Sequence, residues 1–280
     1  HHHRDRVLER VAGHDLPDRP TCLAADSFVD GRAWCGARRG GVFRTDDGGA
    51  SWQAVGLEGR NITSITASPA QRDLVWVGTE PSDVWRSTNG GDLWEETEPL
   101  EALPSSPEWS FPPKPDTHHV RWIASHPHDA QQLWIAIEAG ALVSTHDGGR
   151  NWNDRVPDGP WDTHELAIHP NAPTSLRVAA GDGYFESDDG GATWRSPEEG
   201  LDVGYLRSVA IDPGRADQGV EQGGPGRGLG TFHGVRIADL ARSHPRLPAL
   251  GPDDPDPGHE HPQDQDDPRE YHRAVRRGEK

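Results

Sequence analysis

Residues 45–52 read Thr45-Asp46-Asp47-Gly48-Gly49-Ala50-Ser51-Trp52, and the pattern returns three times. It is Ser87-Thr88-Asn89-Gly90-Gly91-Asp92-Leu93-Trp94 in the second copy and Thr145-His146-Asp147-Gly148-Gly149-Arg150-Asn151-Trp152 in the third. The fourth is Ser187-Asp188-Asp189-Gly190-Gly191-Ala192-Thr193-Trp194. The shared form, called the box below, is [ST]-x-[DN]-x-G-x-x-W. Its final tryptophans are spaced by 42, 58 and 42 residues, which is one repeat length with an insertion of 16 in the middle interval. Self-similarity at a period of this size indicates a repeat architecture.

Each box is preceded by short β-rich runs bounded by Gly, Pro and Asp. Ile62–Ala67 before Ser68-Pro69 has counterparts in Val120–Ser125 before His126-Pro127, Thr163–Ile168 before His169-Pro170, and Leu206–Ile211 before Asp212-Pro213. A second run follows each proline: Leu74–Gly78, Leu133–Ile137 and Leu176–Ala180. A third leads into the box, as in Val84-Trp85-Arg86, and a fourth starts at the box tryptophan. Four antiparallel strands per ~42 residues make one propeller blade. The fold expected is an all-β propeller of four-stranded blades, four recognisable and a fifth partial.

Within each box an Asx or Ser/Thr side chain accepts hydrogen bonds from turn N–H groups, and glycine takes the positive φ that the turn needs. A catalytic acid repeated in every blade makes no chemical sense. Asp47, Gly49 and Trp52, Asn89, Gly91 and Trp94, Asp147, Gly149 and Trp152, and Asp189, Gly191 and Trp194 are therefore read as architecture.

The boxes resemble the Asp-box, or BNR, repeats of the sialidase-like superfamily, and the resemblance covers about residues 21 to 213. The best overall match is to bacterial BNR-repeat proteins, also described as WD40/YVTN-like, sialidase-like or glycosyl-hydrolase-like. The superfamily mixes enzymes with binding proteins, so the resemblance implies a fold more than an activity. Catalytic sialidases carry a Phe/Tyr-Arg-Ile-Pro motif, an arginine triad and a Tyr–Glu pair. This chain has no Arg-Ile-Pro and only three tyrosines, Tyr184, Tyr205 and Tyr271, which argues against sialidase activity.

All eleven tryptophans lie between Trp34 and Trp194, so the packed part of the chain is expected there. The domain reading is an N-terminal segment over 1–20 and a propeller over 21–213 with an insertion at 99–117. A low-complexity tail, disordered or frame-disrupted, is expected over 214–280, where Val235–Arg242 is a candidate helix or strand. The 280 residues carry a formal charge of −18, which disfavours nucleic acid and anionic membranes as partners. No apolar run nears the ~20 residues of a membrane span, and no signal peptide is visible, so a cytoplasmic location is expected. Cys22 and Cys35 are expected to face each other in a hairpin, as free thiols or as a cross-strand disulfide.

In such a blade the first and third turns share one rim with the boxes. The second turns and the inter-blade links share the other. A ligand site is expected on that second rim. The second turns supply Arg38, Glu80, Glu138 and Asp182. The links supply His118, His119, Arg121, Asp162, His164, Glu165, Tyr205 and Arg207. The preferred reading is a non-catalytic binder of protein, peptide or carbohydrate, using Arg38, His118, His119, Arg121, Asp162, His164, Tyr205 and Arg207. The alternative is a glycoside hydrolase with a carboxylate pair drawn from Glu80, Glu138, Glu165 and Asp182. A third reading is a truncated propeller with no independent function. His126 and His169 sit on the box rim, away from His118 and His164, and no paired His spacing recurs. No metal and no cofactor are expected.

Overall fold

The computed structural model describes residues 19–111, 117–198, 201, 204–211, 230–232 and 235–238. Most of the expected tail and N-terminal segment lies outside the described residues, as does 112–116 of the insertion.

Blade one is the sheet β1 (Pro20–Ala25), β2 (Ala33–Ala37), β3 (Gly41–Thr45) and β4 (Gln53–Gly56), in that order. Blade two is β5 (Asn61–Ala67), β6 (Val75–Glu80), β7 (Val84–Ser87) and β8 (Glu95–Glu96). Blade three is β9 (Val120–Ser125), β10 (Leu133–Ile137) and β11 (Ala141–Thr145), with a bridge from Ser144 to Asn153 in place of a fourth strand. Blade four repeats this with β12 (Thr163–His169), β13 (Ala172–Ala180) and β14 (Gly183–Ser187), and a bridge from Glu186 to Arg195. A fifth sheet begins with β15 (Ser208–Ile211), which pairs with β17 (Val235–Ala238), itself paired with β16 (Gly230–Phe232). The chain is thus an all-β propeller of antiparallel blades. Among the described residues no helix is long and apolar enough to cross a membrane.

The innermost strands pack in sequence, β1 on β5, β5 on β9, β9 on β12 and β12 on β15. The core lies between blades. Trp34, Val42, Ile62, Val75 and Val77 fill the space between blades one and two. Ile123, Leu133, Ile135, Val143, Trp76 and Val84 fill the next, and Trp134, Leu166, Leu176, Val178 and Phe185 the one after.

The four box turns share one geometry. The leading hydroxyl accepts the N–H of the box's second glycine: Gly49 to Thr45 at 2.9 Å, Gly91 to Ser87 at 2.7 Å, Gly149 to Thr145 at 3.1 Å and Gly191 to Ser187 at 2.8 Å. The Asp or Asn then accepts the N–H four residues on, at 2.9 Å in each copy. Both glycines of every box have φ between 73° and 102°, where a Cβ is costly. The first of them bonds back to the turn between the first two strands, through Gly48 to Gly31, Gly90 to Asp73 and Gly148 to Gln131, or to the start of the second strand, through Gly190 to Thr174. This contact places the first and third turns on one rim. The box indoles tie blades together, with Trp94 Nε1 donating to Val55 O at 2.8 Å and Trp152 Nε1 to Glu98 O at 2.9 Å.

The cysteines differ from expectation. A register shift between Pro20 and Cys22 moves the pairing by one residue, so Cys22 faces Gly36 and Leu23 faces Cys35. Both thiols are free, and burial pushes that of Cys22 up to about 11.

Candidate functional site

The rim opposite the boxes carries the second turns and the links, and each innermost strand starts there. Sequence alignment of the blades places Asn61, His119, Asp162 and Tyr205 at matching positions at the start of that strand or in the link before it. The end of the second strand is Glu80, Glu138 and Gly181 in blades two to four. Within blade two these two positions pair, Asn61 Nδ2 donating to Glu80 Oε2 at 3.0 Å. Within blade three they pair again, with His119 Nε2 2.8 Å from Glu138 Oε2. That contact is therefore part of the blade architecture.

Blade three differs in what blades four and five bring to it. Glu138 Oε1 lies 3.7 Å from His164 Nε2, and Asp162 Oδ2 lies 3.7 Å from the same nitrogen. Tyr205 Oη is 3.4 Å from it, and Arg207 stacks over the Tyr205 ring at 5.2 Å. Arg121 Nε stands 3.8 Å from Glu138 Oε2. Three successive blades thus converge on one point at the channel mouth. The side chain of His164 is fully buried, and those of Asp162 and Glu138 are 7% and 15% exposed.

The supports are specific. His164 Nδ1 donates to Leu206 O at 2.6 Å. Ala139 N donates to Asp162 Oδ1 at 2.8 Å. Gly181 leaves the space that Asp162 uses, since a Cβ there would lie 2.0 Å from Asp162 Oδ2. Burial pushes the Glu138 carboxyl up, but the His119 hydrogen bond and the Arg121 and His164 charges outweigh it and hold the group below its ordinary value.

The insertion packs beside this cluster. Leu100 and Leu103 are buried, Trp109 lies edge-on to His118 at 5.6 Å, and Phe111 lies edge-on to His119 at 5.0 Å. Trp109 also covers Gly140 of the blade-three second turn. The channel behind the mouth encloses about 480 Å³, lined by Thr63, Arg121, Trp122, His164, Glu165 and Arg207 among others. A larger recess of about 580 Å³ lies between blades three and four, against Trp134, Leu142 and the box glycines Gly190 and Gly191. It gathers fewer convergent charges than the cluster.

Of the residues named from sequence, His119, Arg121, Glu138, Asp162, His164, Tyr205 and Arg207 come together. His118 lies beside them under Trp109, and burial lowers its pKa. Glu80 belongs to the blade-two pair with Asn61. The two oxygens of Asp182 accept the N–H groups of Asp162 and Trp161, so it shapes the link. Glu165 lines the channel and accepts the N–H of Val209 at 3.4 Å. Arg38 is exposed in the second turn of blade one and belongs to no contact of the cluster. Gly181 and Phe111 were missed; aligning Gly181 with Glu138 shows only a missing side chain, and its use appears with Asp162 in place. His126 and His169 hold turns on the box rim, each accepting N–H groups through Nδ1.

No family model matches the chain, and no curated protein matches it. Solved structures do. An ancestral GH74 enzyme aligns at 16% identity and TM-score 0.55, over 70% of this chain and 26% of the other. YCF48 bound to D1 peptide aligns at 19% and 0.51, over 70% and 60%. The extracellular domain of a one-component system from B. thetaiotaomicron aligns at 14% and 0.54, over 82% and 28%. All are β-propellers, and the likeness is one of fold. The chain spans between 26% and 60% of the length of these proteins.

Proposed function

We propose that this chain is a non-catalytic recognition propeller of the Asp-box (BNR) type, related to the sialidase-like superfamily, which binds an acidic peptide or acidic carbohydrate at the rim opposite its boxes. The observation that carries this reading is Arg121. Its side chain is 40% exposed at the channel mouth, yet its buried Nε has no hydrogen-bond partner. The exposed part of this guanidinium is the part a ligand carboxylate would meet. Arg207, stacked on Tyr205 across the same mouth, would be the second cation. The aromatic edge of Phe111 would flank the ligand. A neighbour that holds a peptide, YCF48, is consistent with this use of a propeller.

A hydrolase reading would draw on the proximity of Glu138 and Asp162. A glycosidase needs one carboxylic acid kept protonated near neutrality. Glu138 is held the other way, ionised by His119 and Arg121. Glu138 is thereby unsuited to the acid's role, and a hydrolase would need another carboxyl kept protonated.

The test is binding of the intact chain to peptide and glycan arrays, alongside a panel of chromogenic glycosides. Acidic ligands should bind, and Arg121→Ala and Arg207→Ala should each weaken them at least tenfold. Glycoside turnover that vanishes in Glu138→Gln but not in Glu165→Gln would overturn the non-catalytic reading.

A further inference from the structure

We propose that Glu138, Asp162 and His164 form a site for a divalent cation of the Zn²⁺ class at the floor of the rim cluster, against the expectation of no metal drawn from the sequence. The site shares its location with the recognition surface above and rests only on that placement.

The geometry points to a shared ion in three ways. First, the distances fit. His164 Nε2 lies 3.7 Å from an oxygen of each carboxylate, and the three atoms all fall within 4.8 Å of one another. Such separations exceed hydrogen-bond reach. Zinc bonds of about 2.0–2.2 Å place tetrahedral ligand atoms about 3.3–3.6 Å apart, close to the two His164 separations, and the carboxylates would draw together to complete the site.

Second, each ligand is oriented through its other polar atom. A carbonyl only accepts, so His164 Nδ1 carries a proton given to Leu206 O, and Nε2 is the ring atom left facing the two carboxylates and Tyr205. Asp162 Oδ1 is held by Ala139 N, and Glu138 Oε2 by His119. A histidine donating to a carbonyl and carboxylates fixed by a second donor are what metal sites use to orient their ligands.

Third, two carboxylate oxygens and the second imidazole nitrogen converge on a buried floor, an arrangement that a cation between them stabilises. One imidazole with two carboxylates suits Zn²⁺ or Mn²⁺ better than Ca²⁺, which takes six to eight oxygens. Tyr205 Oη, 3.4 Å from Nε2, or water would complete the shell.

The experiment uses the full chain with His1, His2 and His3 replaced by Ala, because leading histidines bind metal on their own. Zn²⁺ and Co²⁺ are titrated by calorimetry and by the visible absorption of bound Co²⁺. One ion per chain is expected, with binding lost in Glu138→Gln and in Asp162→Asn, weakened about 10–100-fold in His119→Gln, and unchanged in Glu80→Gln. Absence of a one-to-one ion in the parent overturns the proposal. So does equal affinity in the parent and both ligand variants, whose folding is checked by circular dichroism. Repeating the array experiment in chelator separates this result from the recognition reading, since ligand binding without an ion, or an ion without ligand binding, assigns each independently.

Discussion

His164 Nδ1 sits 2.6 Å from the carbonyl oxygen of Leu206, the same inter-blade link that Thr21 makes to Ile62 O at 2.7 Å and Thr63 to Val120 O at 2.8 Å. In blades one, two and four the same position fastens an innermost strand to the start of the next, while blade three carries Arg121 there. Blade four uses an imidazole where blades one and two use a hydroxyl. The fastening needs one donor; a second ring nitrogen aimed at two carboxylates goes beyond it. His164→Thr should therefore keep the link and remove the ligand. Its melting temperature is expected within about 3 °C of the parent, on the order of 1 kcal/mol, while Co²⁺ absorption disappears. Collapse of the fold on this substitution would assign His164 to structure alone.

Gly181→Ala tests the same floor from the other side. The added Cβ would stand 2.0 Å from Asp162 Oδ2 and 3.2 Å from the Tyr205 ring. Asp162 must swing away, so ligand and ion binding should both fall at least tenfold. Because Gly181 lies at a strand end, unfolding measured by denaturant should shift less than binding does.

The repeat carried most of the fold into view from sequence. A box fixes where a third strand ends and a fourth starts, and the Pro after each innermost strand fixes its far end, so blade alignment followed. The rim residues followed too, because alternation of turns assigns them without coordinates. The pairing among them did not. Glu80 and Glu138 occupy one aligned position, yet only Glu138 meets a neighbouring blade that supplies Asp162 and His164. That difference depends on Gly181, which leaves the space that Asp162 uses. The cysteine register was hidden for a related reason: a bulge at Pro20–Cys22 leaves no mark on the period.

Close approach of blades makes a further prediction. Gly36 and Gly78 occupy matching places in β2 and β6. A Cβ on Gly36 would lie 2.4 Å from Ile62 Cγ2, and one on Gly78 would lie 2.4 Å from Val120 Cγ1. Blades three and four carry Ala136 and Ala179 there, so alanine suits the strand itself. The cost at Gly36 and Gly78 comes from the next blade and from the paired Cys22 Sγ and Ser64 Oγ of the same blade, each 2.5 Å from the added Cβ. Gly36→Ala and Gly78→Ala should each destabilise by about 1–3 kcal/mol, the range for overpacking a filled core. Urea unfolding of each variant checks this.

The boxes confer an acid dependence whose direction follows from their hydrogen bonds. The Asn151 and Thr193 side chains, with the backbone N–H groups of the same residues, hold the Asp147 and Asp189 carboxyls down to about 2, and the Ser51 side chain holds Asp47 lower still. A carboxyl whose pKa is lower folded than unfolded adds stability above its unfolded value and loses it as pH falls through the folded one. The contribution should be complete at neutral pH and fade between about pH 4 and about pH 2. Asn89 holds box two with the same acceptor and does not titrate, so asparagine preserves the turn. The urea midpoint of Asp189→Asn should match the parent more closely at low pH than at neutral pH, whereas Asp189→Ala should be weaker at neutral pH because the N–H groups of Thr193 and Ala192 lose their acceptor. A parent and Asp189→Asn that differ by the same amount across the whole range would show that the box carboxylates hold their turns without any charge dependence.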